Sequence, residues 1–184
     1  MALVHAEEAL ELDPTDPFCN LAYGRAKWLA GDAENGLIWV ENAITSNPNY
    51  AWGFYNRATL NNVLCDGKTA EQDMETAFAL SPIDPNLQSM FGTRALTAYL
   101  SDDLASAMKY SDLAVNAPNP HFYVFMIAAL NYAQAGAMKK AQKCIEAIRS
   151  QDIPFGKAEF LTHYDLRDPE RKSKMVDALN ALGF

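Results

Sequence analysis

Three evenly spaced prolines constrain this chain more than any other feature. Pro14, Pro48 and Pro82 stand 34 residues apart, and Ala9, Ala43 and Ala77 keep the same interval, five residues before each. Gly24, Ala58 and Gly92 repeat at 34 as well. A fixed period of this length means an array of similar units stacked on their neighbours. Each recurring residue has a mechanical role. Proline ends a helix and biases the residue before it away from helical conformation, so it closes one unit and opens the next. A residue with almost no side chain lets two antiparallel helices approach until the partner's large side chains fill the groove. The period therefore predicts helical hairpins.

Apolar periodicity places the helices at 2–12, 17–30, 34–46, 51–64, 68–80, 85–100, 103–116, 120–135 and 137–150. Both glycines of "GDAENG", Gly31 and Gly36, are assigned to a helix–helix turn. Pro118 falls 36 residues after Pro82, so the third unit carries about two extra residues. After Pro154 the period lapses, and "FGKAEFLTHY" and "DPERKSKMVDALNAL" each read as one helix. Asp168 is placed as an N-cap with Pro169 at the first helical position. Met175, Val176, Leu179 and Leu182 then share one face, and Gly183 suits a stop. Such a pair is placed to close the apolar end of an array.

These features resemble the tetratricopeptide repeat. Residues 17–50 carry its pattern through Gly24, Gly31, Ala43 and Pro48, and residues 51–84 through Phe54, Ala58, Ala70, Ala77 and Pro82. Phe91 and Gly92 open the third repeat, 85–121. The fourth, 122–153, has Phe125, Ala129, Tyr132, Gly136 and Ala141, with Pro154 closing. Lys27 and Asn61 depart from the expected aromatic, Gly36 from an alanine, and Asn20 and Gln88 from the first large residue. The resemblance implies an all-α fold, a right-handed solenoid spanning 1–184 as one domain. Residues 1–16 form a leading half repeat, and residues 154–184 a capping helix pair.

A second resemblance rests on "SPIDPN", "NAPNP" and "LRDPERKSKMVDALNALGF". These runs are similar to the tetratricopeptide-like C-terminal regions of bacterial class III adenylate or guanylate cyclases and of winged-helix transcriptional regulators. That similarity implies a regulatory tail of a cytoplasmic signalling protein. It implies no cyclase chemistry, because no catalytic domain is present.

Charge and motifs narrow the function further. A net charge of −8 argues against a grip on nucleic acid, which needs a basic stripe. Acidic residues dominate up to residue 120, whereas 121–184 holds nine Lys/Arg against seven Asp/Glu. Such a body favours basic or neutral peptide partners and biases head-to-tail contact, or serves only for solubility. No apolar run is long enough to span a membrane, and "MALVHAEEALELD" lacks the basic start of a secretory signal. Cys19, Cys65 and Cys144 have no CxxC spacing and read as reduced structural thiols in a cytoplasmic protein. His5, His121 and His163 lack metal-ligand spacing, and there is no phosphate loop or nucleophile elbow. Glu7/Glu8 reads as a solvated helix face, and Asp102/Asp103 as a loop and an N-cap. The expectation is a non-enzyme with no cofactor and no metal.

Binding of a protein or peptide is the function that the residues favour. In the repeat family the first helices line a concave face. On that resemblance, Phe18, Leu21, Arg25 and Trp28 face inward in the first full repeat, and Trp52, Tyr55, Thr59 and Asn62 in the second. Asn86, Ser89, Thr93 and Leu96 follow in the third, and Tyr123, Met126, Leu130 and Ala133 in the fourth. Arg25, Trp28, Trp52, Tyr55, Thr59, Asn62, Tyr123 and Met126 are the candidate peptide contacts, since aromatics, Arg and Asn suit an interface. Equally, Trp28, Trp52 and Tyr123 pack between neighbouring helices, and the sequence leaves both readings open. At the other end, Leu3, Val4, Ala6, Leu10 and Leu12 span more than one helical stripe, so part of that surface is expected open. A homodimer through Leu3 and Val4 is the matching expectation.

Overall fold

The computed structural model describes residues 1–151 and 156–184. Among these it has eleven helices and no strand. The first five are α1 (Ala2–Leu12), α2 (Pro17–Leu29), α3 (Ala33–Ser46), α4 (Ala51–Val63) and α5 (Gly67–Leu80). Next come α6 (Leu87–Leu100), α7 (Leu104–Asn116), α8 (Phe122–Gln134) and α9 (Met138–Arg149). The last two are α10 (Lys157–His163) and α11 (Pro169–Ala181). Each expected helix is present with its ends within two residues of expectation. Pro154, read as closing the fourth repeat, lies outside the described residues.

Two compact units form, 1–82 and 83–184. The division falls in the α5–α6 connection, Ser81 to Asn86. That loop has six residues where its counterpart from Asn47 to Tyr50 has four. The extra pair expected in the third repeat therefore sits there, between Pro82 and Asn86.

In the first unit, hairpins α2–α3 and α4–α5 pack in succession, with α1 laid on α2. Leu21, Trp28, Val40, Ala43, Ala58, Leu60, Met74 and Ala77 make the core. A methyl group at Gly24 would come within 2.7 Å of the Gly36 carbonyl oxygen, and one at Gly36 within 2.7 Å of the Gly24 oxygen. The two backbones touch through this pair. Gly36 is thus not a turn residue, as the reading of "GDAENG" had it; it lies buried within α3. Gly31 alone serves the turn, with φ +93°. In hairpin α4–α5, Arg57 donates from Nε and Nη2 to Asp73 at 2.9 and 2.7 Å, a forked ion pair over a carboxylate almost out of solvent.

The second unit repeats the hairpin as α6–α7 and α8–α9 around Leu96, Phe122, Met126, Ile127, Leu130 and Tyr132. Asn131 crosses the core, donating to the Ala95 carbonyl at 3.2 Å and Ser111 Oγ at 2.9 Å, which pins α8 to both helices of the preceding hairpin. As expected, Asp168 caps α11 by accepting from the N–H groups of Glu170 and Arg171. Met175, Leu179 and Leu182 are buried, with Val176 half-buried. Lys174 of α11 donates to the Asp102 carboxylate at 2.8 Å. Asp103 caps α7 through Ser106 N–H.

Candidate peptide-contact surfaces

In the first unit the chemistry gathers where α2 faces α4. Arg25 lies mid-helix, half-buried, and its Nη1 donates to Asn56 Oδ1 at 2.7 Å. Asn56 in turn donates to the Trp52 carbonyl at 2.7 Å, so its amide is fixed at both ends and holds the guanidinium in place. One helical turn apart on α4, Trp52 and Tyr55 meet edge-to-face with centroids 5.4 Å apart, and both keep part of their surface in solvent. Tyr50 stands just before α4, its phenol pushed up by burial and by Asp16, with Arg25 pulling the other way. Phe18 is 67% exposed at the start of α2. The surface can offer rigid ring edges and one positioned cation to a ligand.

Burial removes the other candidates in this unit from that surface. Trp28 is 4% exposed, Thr59 2% and Asn62 0%. Thr59 Oγ donates to its own helix at the Tyr55 carbonyl, 2.9 Å away. Trp28 packs against the backbone at Gly36, where an added methyl would meet its N and Cβ at 3.1 and 3.2 Å. A ligand has no access to these side chains.

In the second unit Met126 is fully buried. Tyr123 is half-buried within an aromatic group: it stacks on His163 at 4.6 Å and meets His121, Tyr164 and Phe160 at 5.0, 5.9 and 6.0 Å. His121 caps α8 by accepting the Tyr123 N–H at Nδ1, which needs an unprotonated ring nitrogen, and burial holds the imidazole below its ordinary value. Tyr123 is thus mainly a packing residue between α8 and α10. Sequence reasoning missed Asn56 as the residue that orients Arg25, and missed His163 as the partner of Tyr123. Asn56 lies one position past Tyr55 and carries no pattern of its own. His163 is brought to Tyr123 from 40 residues away by the fold alone.

No helix of the described residues is long and apolar enough to cross a membrane. Among the described residues no group of three or more His, Cys, Asp or Glu is placed to hold a metal ion.

No protein-family model matches the sequence, and no curated protein matches it either. Among solved structures, the chain is similar in fold to a tetratricopeptide repeat protein from Parabacteroides merdae. The TM-score is 0.67 at 15% identity, over 99% of this chain and 71% of that one. The all-α, tetratricopeptide-type fold class expected from the period is the one observed. The likeness is one of fold.

Proposed function

We propose that this chain is a non-catalytic protein-interaction module, and that Arg25, Trp52 and Tyr55 contact a peptide segment of its partner. The observation that carries the reading is the half-exposed Trp52–Tyr55 pair beside a guanidinium held by Asn56. Trp, Tyr and Arg dominate interface hot spots because they offer large contact area at small cost in lost rotamers. Here the side chains are already positioned, so a ligand has less freedom to remove on binding. Stacked helical hairpins suit this use, since they present extended surfaces to partners.

The finer reading is a C-terminal region of a cytoplasmic bacterial regulator of the cyclase-like or winged-helix type. Its support is the runs "SPIDPN", "NAPNP" and "LRDPERKSKMVDALNALGF". In this reading the segment needs no cofactor and touches neither nucleic acid nor membrane. A cyclase or winged-helix domain encoded in the same reading frame would support it, and a frame without either would remove it. The alternative, a free-standing scaffold that self-associates, is favoured by one observation: Val4 and Leu12 of α1 are 54% and 88% exposed.

Quantitative pulldown with Trp52→Ala and Tyr55→Ala tests the surface. Each variant is expected to keep its helicity and weaken partner capture roughly thirtyfold, the equivalent of a hot-spot loss of about 2 kcal/mol. Partner profiles unchanged in both variants would remove this surface from consideration.

A further inference from the structure

The second unit carries a groove that the reading above does not use. Two hollows adjoin along α7 and share Asp112 and Asn116. The larger, of about 630 Å³, lies between α6 and α7 with Leu87, Phe91, Leu113 and Pro118 as its apolar lining. It falls in the size range of ligand pockets, with room for a large side chain. The smaller, of about 240 Å³, lies among α7, α8 and α9, with Tyr132 and Cys144 in its wall and Lys140 and Lys143 at its edge. None of these residues is among the inward-facing first-helix positions of the repeat.

The charge of the groove is set by three lysines and one carboxylate. Lys140 donates to both oxygens of Asp112, at 2.8 and 2.9 Å, and the Tyr132 hydroxyl donates to the same carboxylate at 2.6 Å. Desolvation works against the ionised form of Asp112, but these two donors outweigh it and hold the carboxyl below its ordinary value. Asp112 is therefore an anion already matched. The buried Cys144 thiol is pushed up to about 12 and adds no charge to the wall. Lys109, which lies over the Tyr110 ring at 5.1 Å, and Lys143 have no carboxylate partner among the described residues. One such cation thus stands at each hollow of the groove, Lys109 at the larger, apolar one and Lys143 at the smaller. The surrounding chain does not cancel them: residues 83–184 hold eleven Lys/Arg and eleven Asp/Glu, whereas residues 1–82 hold four against twelve, which is the whole net charge of −8.

We propose that the groove along α7 binds an acidic peptide segment of a protein partner, seating one large apolar side chain over Phe91 and Leu113 while neighbouring carboxylates pair with Lys109 and Lys143. Charge complementarity selects this occupant. A basic segment would face two unmatched ammonium groups, and a neutral one would leave them without partners. The site is separate from Arg25, Trp52 and Tyr55, so the two readings stand or fall independently.

A displayed random peptide library, panned on the full chain, tests the proposal. Enriched sequences are expected to combine Asp or Glu with Leu, Phe or Trp. A labelled synthetic copy of the most enriched peptide should lose affinity by about tenfold or more in Lys109→Glu/Lys143→Glu, and weaken as salt is raised. Leu113→Gln, at a side chain already 41% exposed, should weaken it too without unfolding the chain. Tyr55→Ala should leave the affinity unchanged. Absence of enrichment, enrichment of neutral or basic sequences, or indifference to the double reversal in a variant that melts like wild type would each overturn the proposal. Loss in Tyr55→Ala alone would assign the peptide to the first unit and overturn this site while sparing the other. Self-association abolished by the double reversal would make a second copy the occupant, which also overturns the peptide reading.

Discussion

A single methyl group separates two glycines that look alike in sequence. Gly24 and Gly92 stand at the same interval in the sequence, but the longer loop before α6 sets Gly92 at a different point of its hairpin, and their surroundings differ. At Gly24 an added Cβ meets a backbone oxygen at 2.7 Å, which can yield only if α2 and α3 separate. At Gly92 it meets the Val124 Cγ2 at 3.2 Å, the end of a side chain that can give by a few tenths of an ångström. Against either clash stands the gain of about 1 kcal/mol when alanine replaces glycine inside a helix. Overpacking at Gly24 exceeds that gain, so Gly24→Ala is expected to destabilise by about 1–3 kcal/mol. For Gly92→Ala the two effects nearly cancel, leaving a change under about 1 kcal/mol. Urea denaturation of both variants decides it; equal midpoints would mean that the Gly24–Gly36 contact does not hold the hairpin together.

At the scale of the element, the helices begin on aspartate with unusual regularity. Asp16, Asp32, Asp66, Asp103 and Asp168 each cap a helix by accepting backbone N–H groups within the first turn. A carboxylate there satisfies orphan donors and sits at the positive end of the helix dipole. Asp66 accepts from Thr69 Oγ at 2.6 Å and from Thr69 N–H at 3.1 Å, and these bonds, the side-chain one first, hold its carboxyl below the ordinary 3.8. Asp16 is lowered chiefly by the Cys19 N–H, and Asp103 by the Ser106 side chain and N–H. For a carboxyl lowered by folding, the stabilisation is complete above the unfolded value and is lost as pH falls through the folded one. The caps should therefore act fully above about pH 5 and fail progressively below the ordinary value of 3.8. Asp66→Ala is expected to cost about 1 kcal/mol at neutral pH and almost nothing at the acid end. Thermal melts of variant and wild type along a pH series would show the difference closing; a constant difference would refute the charge-dependent cap.

For the whole molecule, charge and exposed apolar surface pull in opposite directions at the first helix. Met1, Val4 and Leu12 are exposed, and Leu3 is half-buried, on an α1 that packs chiefly against α2. Covering about 200 Å² of such surface would favour association by about 5 kcal/mol before the costs of association. A two-fold dimer through α1 would also bring Glu7, Glu8 and Glu11 near their copies, in the unit that carries all the net charge. Salt screens that repulsion, so light scattering should show dimerisation that strengthens with ionic strength and disappears in Leu3→Glu or Val4→Glu. The groove along α7 behaves oppositely, weakening with salt, so the two contacts can be told apart in one titration. A monomer at all salt concentrations, unchanged by either substitution, would sink the dimer.

The eleven helices of the described residues, the hairpin pairing and the Asp168 cap were legible in the sequence because each rests on signals acting over short range. Proline, aspartate and a stripe of apolar residues fix a helix within a few positions of themselves, and a 34-residue period copies the result along the chain. The candidate surface was legible only in part. Position along a first helix identifies a stripe, but whether a side chain on it meets solvent depends on how closely the next helices approach. Glycine in place of alanine at Gly36 draws α3 onto α2 and covers Trp28, while Trp52 and Tyr55 stay partly open. The matched charge at Asp112 joins side chains 20 and 28 residues apart, and no local pattern announces it. Helix formation is decided among neighbours in the chain. Exposure, charge pairing and the groove are decided by neighbours in space, which only the packed tertiary structure supplies.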